Sequence, residues 1–123
     1  MSRSQQAARF GRLAEEAARQ RYGLEAEHTS WYDARDDDGR PWDVKAAMLS
    51  RDQPRFRLWR DQHADLLEAG GGYVFVGYRP RGRGIEVVRM RSVAADDLRL
   101  RFGGAGEHPK GDQFKLPPAR IFG

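Results

Sequence analysis

An α/β domain, a mixed β-sheet of about five strands flanked by helices, is the fold class that this chain of 123 residues predicts. Three observations point to it. Periodicity gives elements in the order helix, three strands, helix, two strands. Tyr73-Val74-Phe75-Val76-Gly77-Tyr78 is a near-continuous apolar run, as a strand buried on both faces requires. Asp36-Asp37-Asp38-Gly39 lies between two strand-like stretches and marks a hairpin turn.

The first helix is expected over about 4–21, with Ser4 as N-cap and Gly23 as stop. Ala7, Phe10, Ala14 and Ala17 form one apolar row. Ala8, Gly11, Glu15, Ala18 and Tyr22 form the adjacent row. Glu16 falls on the opposite side with Arg9, Arg12, Arg19 and Gln20. Strands are expected over about 27–35 and 42–48, joined by the Asp-rich turn. Direct pairing of 33 with 43 needs an odd loop, such as 37–39; a two-residue turn would send Asp33 to the other face. Phe56-Arg57-Leu58 suits a short strand, and 60–69 a helix closed by Gly70-Gly71-Gly72. Strands follow over 73–78 and 85–90, with Ser92 as cap of a short helix through Leu98.

Composition bounds the rest. The expectation is a single domain over 1–123, with a core of about 4–100. An irregular, Gly- and Pro-rich tail over about 102–123 can tuck Leu116, Ile121 and Phe122 back. Charged residues make up 33% of the chain and the net charge is +4, which favours an anionic partner, nucleic acid first. An Arg-rich soluble protein is the alternative. The chain has no cysteine, hence neither a disulfide framework nor a thiolate metal site. No run reaches the apolar length of a membrane span and the N-terminus has no apolar signal core, so the expected location is cytoplasmic.

Lysine is scarce, at positions 45, 110 and 115 only, yet Lys45 lies in the apolar stretch Trp42-Asp43-Val44-Lys45-Ala46-Ala47. Lys is a compact donor whose pKa moves on burial, which Arg cannot match. Two residues apart on a strand, Asp43 and Lys45 share a face. Such a pair alone is common on solvated strands. Asp33 across the hairpin, Glu15 in the small-residue helix row and Gln62 opening the second helix raise its value. A carboxylate in a row of Ala, Gly and Tyr is costly unless paired; the alternative for Glu15 is a boundary carboxylate reaching solvent.

This set suits hydrolysis of a phosphodiester. Oxygen donors from Glu15, Asp33, Asp43 and the Val44 carbonyl would hold Mg²⁺, with Mn²⁺ able to substitute. Lys45 would orient or deprotonate water and offset phosphoryl charge. Arg79, Arg81 and Arg83 form a basic loop that either contacts phosphates or is a plain exposed hairpin. Arg55, Arg57 and Arg60 can add a basic edge. His28, His63 and His108 lack metal-ligand spacing among themselves and read as surface or boundary residues. Asp36-Asp37-Asp38 reads as a solvated turn, and Trp31, Trp42 and Trp59 as core or interface.

As an ordered set these segments resemble the PD-(D/E)xK nuclease superfamily, of restriction-endonuclease-like fold, and within it the archaeal Holliday-junction resolvases. Phe10-Gly11-Arg12-Leu13-Ala14-Glu15 is similar to the family's Gly followed four residues later by the catalytic Glu. Tyr32-Asp33 stands where the family has Pro-Asp, and Asp43-Val44-Lys45 stands at the signature. Arg60-Asp61-Gln62 resembles the start of the helix that carries a Gln near the site. Gly71 to Tyr78 resembles the Gly-rich lead into the next core strand. Tyr32 replaces the usual Pro, and Asp43 replaces the Glu commoner in resolvases. The resemblance implies a Mg²⁺-dependent DNA endonuclease acting on duplex or branched DNA. Its catalytic residues would be Glu15, Asp33, Asp43, Lys45 and Gln62. A homodimer is expected, because a small domain with one site cuts two strands most simply in pairs. The alternatives are a non-catalytic nucleic-acid-binding protein that keeps the fold and a basic protein-interaction module.

Overall fold

The computed structural model describes residues 2–102 and 112–123; expectations for His108 and for the tail over 103–111 lie outside the described residues. The first helix, α1, spans Arg3–Tyr22. Its cap is Ser2, not Ser4: the Ser2 hydroxyl accepts the Gln5 amide and the Gln5 side chain returns to the Ser2 amide at 3.0 Å. Gly23 ends it at φ 64°, a left-handed conformation glycine adopts without steric cost. Phe10, Ala14 and Ala18, one turn apart, are its buried stripe.

Four strands and a helix follow. The short strands β1 (Glu25–Ala26) and β2 (Ala34–Arg35) precede β3 (Pro41–Met48) and β4 (Phe56–Trp59); α2 then spans Arg60–Glu68. The long strands β5 (Gly72–Arg81) and β6 (Gly84–Ala94) lead to a 3₁₀ turn over Ala95–Asp97. The chain closes with β7 (Gln113–Leu116) and α3 (Ala119–Phe122). The main sheet runs β1-β2-β3-β5-β6, with β3 and β5 parallel and the other pairs antiparallel; β4 and β7 form a separate two-stranded sheet. The five-stranded mixed α/β sheet is the expected architecture.

Three further local expectations change. Of the strand expected over 27–35 only β2 forms, at its end; β1 lies before it, and the residues between make a closed loop in which the Glu27 amide donates to the Asp33 carbonyl at 2.9 Å. Thr29 causes this, because its hydroxyl accepts the amides of Trp31 and Tyr32 and competes with the ladder. Ser92 caps no helix: β6 continues to Ala94, opposite Gly72. The tail over 112–123 is not irregular. β7 pairs with β4, Phe56 opposite Leu116, and buries Leu116, while α3 buries Ile121.

Period-two alternation divides the core in two. Val74 and Val76 face α1 with Ala14, Ala18 and Ala34. Ala47, Tyr73 and Phe75 face the other way, onto Phe56, Leu58, Leu66, Leu116 and Ile121. Gly71 and Gly72 let β5 enter between its neighbours: a Cβ would lie 2.1 Å from the Pro41 carbonyl oxygen at Gly71, and 2.4 Å from that of Val93 at Gly72. No described helix is long and apolar enough to cross a membrane.

Candidate active site

The register sets the site. Ala34 lies opposite Trp42 and Arg35 opposite Pro41, so 33 and 43 fall in line across an odd loop. Asp36 builds that loop. Its carboxylate accepts the amides of Asp38 and Arg40, each at 2.9 Å, and the Trp42 indole N–H at 3.0 Å. Burial works to raise the Asp36 pKa. The Trp42 indole and the two amides outweigh it, holding the carboxyl below its usual range. The Asp-rich run is therefore a turn device.

β2 begins only at Ala34, opposite Trp42, leaving the edge of β3 uncovered at Val44. Asp33 takes the place of a strand there, its Oδ2 accepting the Val44 N–H at 2.9 Å. Trp42 C=O and Val44 N–H both point to this edge, and by strand alternation so does the Val44 carbonyl.

Asp43 is buried beside Asp33 and beside Lys45, whose Nζ lies 3.0 Å from Asp43 Oδ2. Lys45 Nζ also donates to Gln62 Oε1 at 3.0 Å, and Gln62 Nε2 in turn donates to the Trp31 carbonyl at 3.0 Å. Two of the three ammonium donors are thus committed. Burial pushes the Asp43 carboxyl up to about 7, with Lys45 opposing and the facing Asp33 carboxyl adding to the rise. Behind Asp43, burial and then the Asp43 charge push the Tyr73 phenol up. Tyr73 hydroxyl and His63 Nδ1 pair at 2.8 Å, and burial lowers His63. His63 is thus a core residue rather than a surface one.

Glu15 reaches this edge from α1, on the opposite side of the sheet. It is partly buried while Glu16 is exposed. Its Oε1 pairs with His28 Nε2, and one donor atom from each of Glu15, His28 and Asp33 lies within 4.8 Å of the others. His28, in the loop after β1, is one residue of this cluster that sequence reasoning missed. It stands 13 positions from Glu15, and no spacing joins them.

Two cavities meet at Val44, Lys45 and Trp59. One, of about 500 Å³, holds Asp33, Asp43, Asp61, Gln62 and Asp65. The other, of about 620 Å³, is walled by Arg51, Arg55, Arg57 and Lys115, with Ala7 and Gly11 of α1 opposite. A Cβ at Gly11 would meet no atom within 4 Å, so this glycine does not bring the helix close to the sheet; it keeps the groove open. Arg51 and Lys115 were not legible as site residues, although the scarcity of lysine marks Lys115. Arg60 lines neither cavity and pairs with Asp112 at 3.0 Å, tying α2 to the residue before β7. Arg79, Arg81 and Arg83 are exposed at the β5–β6 hairpin and also line neither. Arg79 is four residues beyond Phe75, the strand partner of Lys45, about 13 Å along the sheet.

The sheet order and the carboxylate–lysine cluster at an uncovered strand edge together define a domain of the nuclease class. The chain belongs to the PD-(D/E)XK nuclease superfamily: the family model described as PD-(D/E)XK nuclease superfamily domain matches residues 1–123, its whole length. The chain has no significant match among curated proteins. Nucleases of this superfamily typically use divalent metal ions. The donor set here fits one. Asp43 is forced against Asp33, and Asp33 in turn lies within reach of Glu15, a concentration of negative charge that Lys45 alone does not neutralise.

Proposed function

We propose that the protein is a Mg²⁺-dependent DNA endonuclease, with Mn²⁺ able to replace Mg²⁺, acting at the cluster of Glu15, Asp33, Asp43, Lys45 and Gln62. The observation that carries this reading is the placement of Lys45. Its ammonium is fixed between Asp43 and Gln62, where the acidic cavity joins the basic groove. An ammonium held in this way is poised for a reacting oxygen, not for a solvated surface pair.

Glu15, Asp33, Asp43 and the Val44 carbonyl would hold the cation, which when bound acidifies water and polarises the phosphoryl oxygen. Lys45 directs its remaining donor at the attacking water or the phosphoryl oxygen and stabilises the charge that develops there. Gln62, anchored on the Trp31 carbonyl, keeps that ammonium aimed. Asp33 is kept in place by the Val44 amide. The water oxygen bonds to phosphorus as the bond to the leaving oxygen breaks; the attacking water gives up its proton to bulk solvent, and the leaving oxygen takes up a proton from solvent.

DNA phosphates would run along Arg51, Arg55, Arg57 and Lys115. Gly11 leaves room for the backbone on the facing wall. Branched DNA is the proposed substrate, on the likeness of the ordered motifs to resolvases. A homodimer would bring two such sites to it, in the cytoplasm. Cleavage compared on four-way junction, duplex, nicked and single-stranded DNA, with Mg²⁺ or Mn²⁺, tests this. Preference for the junction is expected; equal cutting of all four would remove the branched-DNA assignment.

A further inference from the structure

Asp33 stands between two unlike groups of donors. On one side are Asp43, the Val44 amide and Lys45, an arrangement of oxygen ligands and their ammonium partner. On the other are Glu15 and His28, the one imidazole in this group. These three come from separate segments: α1, the loop after β1 and the approach to β2. Their donor atoms nevertheless converge to within 4.8 Å of one another.

The His28 loop is built rather than slack. The Glu27–Asp33 bond closes it, the Thr29 hydroxyl holds its turn, and the Tyr32 hydroxyl donates to Glu27 at 2.9 Å. His28 is therefore presented beside Glu15 and Asp33 by a fixed scaffold, while its own ring is 62% exposed and open to a cation arriving from solvent.

We infer that His28 is a ligand of the divalent cation, alongside Glu15 and Asp33, and gives the site a preference for Mn²⁺ over Mg²⁺. The inference rests on the metal-dependent reading above. Mg²⁺ is a hard cation that favours oxygen and keeps its waters, whereas transition metals accept imidazole nitrogen readily. An all-oxygen site needs no histidine here. A carboxylate shared with His28 supplies a mixed set.

Pulsed EPR of the full chain loaded with Mn²⁺ tests this directly. A nitrogen coupling to the ion is expected in the wild type, retained in His108→Gln and absent in His28→Gln. Competitive titration should show His28→Gln losing about tenfold in Mn²⁺ affinity while Mg²⁺ affinity stays within about twofold. Mn²⁺ bound without nitrogen coupling would overturn the inference and leave the metal-dependent reading intact. So would equal weakening of both ions in His28→Gln, the mark of a residue acting only through Glu15. A wild type that binds neither ion would sink both. Unchanged melting of His28→Gln in EDTA guards against a folding defect.

Discussion

Asp33 accepts the Val44 N–H at 2.9 Å and so does for β3 what a missing strand would do. The same carboxyl faces Asp43 and lies in the Glu15–His28 cluster. One side chain thus closes a sheet edge and joins the two halves of the site. Asparagine can still accept that N–H; alanine cannot. Asp33→Asn should keep its stability and lose cleavage. Asp33→Ala should lose cleavage and also about 1–3 kcal/mol in denaturant unfolding. Equal stability of the two variants would show that the edge bond matters little.

Asp43 carries a penalty in the metal-free protein. Its folded pKa, raised to about 7 mainly by burial, lies above the 3.8 of an unperturbed carboxyl in the unfolded chain. The folded state then binds the extra proton, so this stabilising contribution is complete below pH 3.8 and is lost as pH rises through about 7. Asp43→Asn should therefore melt higher than wild type at pH 8 in EDTA, by about 1–3 kcal/mol in unfolding free energy, with the gap narrowing towards pH 5. Added Mg²⁺ should stabilise wild type more than the variant. A variant less stable at pH 8 would mean that the Lys45 pair outweighs burial.

The two neighbouring glutamates separate cleanly. Glu15 meets His28 and Asp33, whereas Glu16 is exposed on the far side of α1. Glu15→Gln should lose most cleavage and Glu16→Gln little, both with unchanged helicity by circular dichroism. Loss in Glu16→Gln with full activity in Glu15→Gln would mean that the helix works with its other face.

The groove gives a charge test. Replacing Arg51, Arg57 and Lys115 together by Ala should reduce the salt dependence of DNA binding by about 2–3 in log–log slope. The corresponding triple change at Arg79, Arg81 and Arg83 should move it less. Gly11→Ala should raise helix stability by about 0.5–1 kcal/mol, since nothing blocks its Cβ. Gly11→Trp should fill the groove and weaken DNA binding without lowering the melting temperature. A larger slope change from the hairpin triple would move the DNA path to the β5–β6 loop.

What was legible in the sequence was local. A period of two puts Asp43 and Lys45 on one face, and an odd loop lines up Asp33 with Asp43; Asp36 shows how that loop is held. The helical row that singled out Glu15 works because Phe10, Ala14 and Ala18 fix the roll of α1. What was not legible depends on distant partners. β7 lies in a Gly- and Pro-rich tail and becomes a strand only because β4 offers Phe56 and Leu58. His28 becomes a site residue only through the path that Thr29 imposes on its loop. The groove cations Arg51 and Lys115 come together only once β4 and β7 have paired.

The central claim is that Lys45, fixed between Asp43 and Gln62, performs metal-dependent phosphodiester hydrolysis. Cleavage of DNA by wild type and Lys45→Ala, with binding measured in Ca²⁺, tests it most directly. The account predicts cutting by wild type with Mg²⁺ or Mn²⁺ and none in EDTA. It predicts that Lys45→Ala cuts about 10²–10⁴-fold more slowly and binds DNA within a few-fold of wild type. Salt-sensitive binding by a wild type that cuts nothing with either ion, or undiminished cutting by Lys45→Ala, would contradict it.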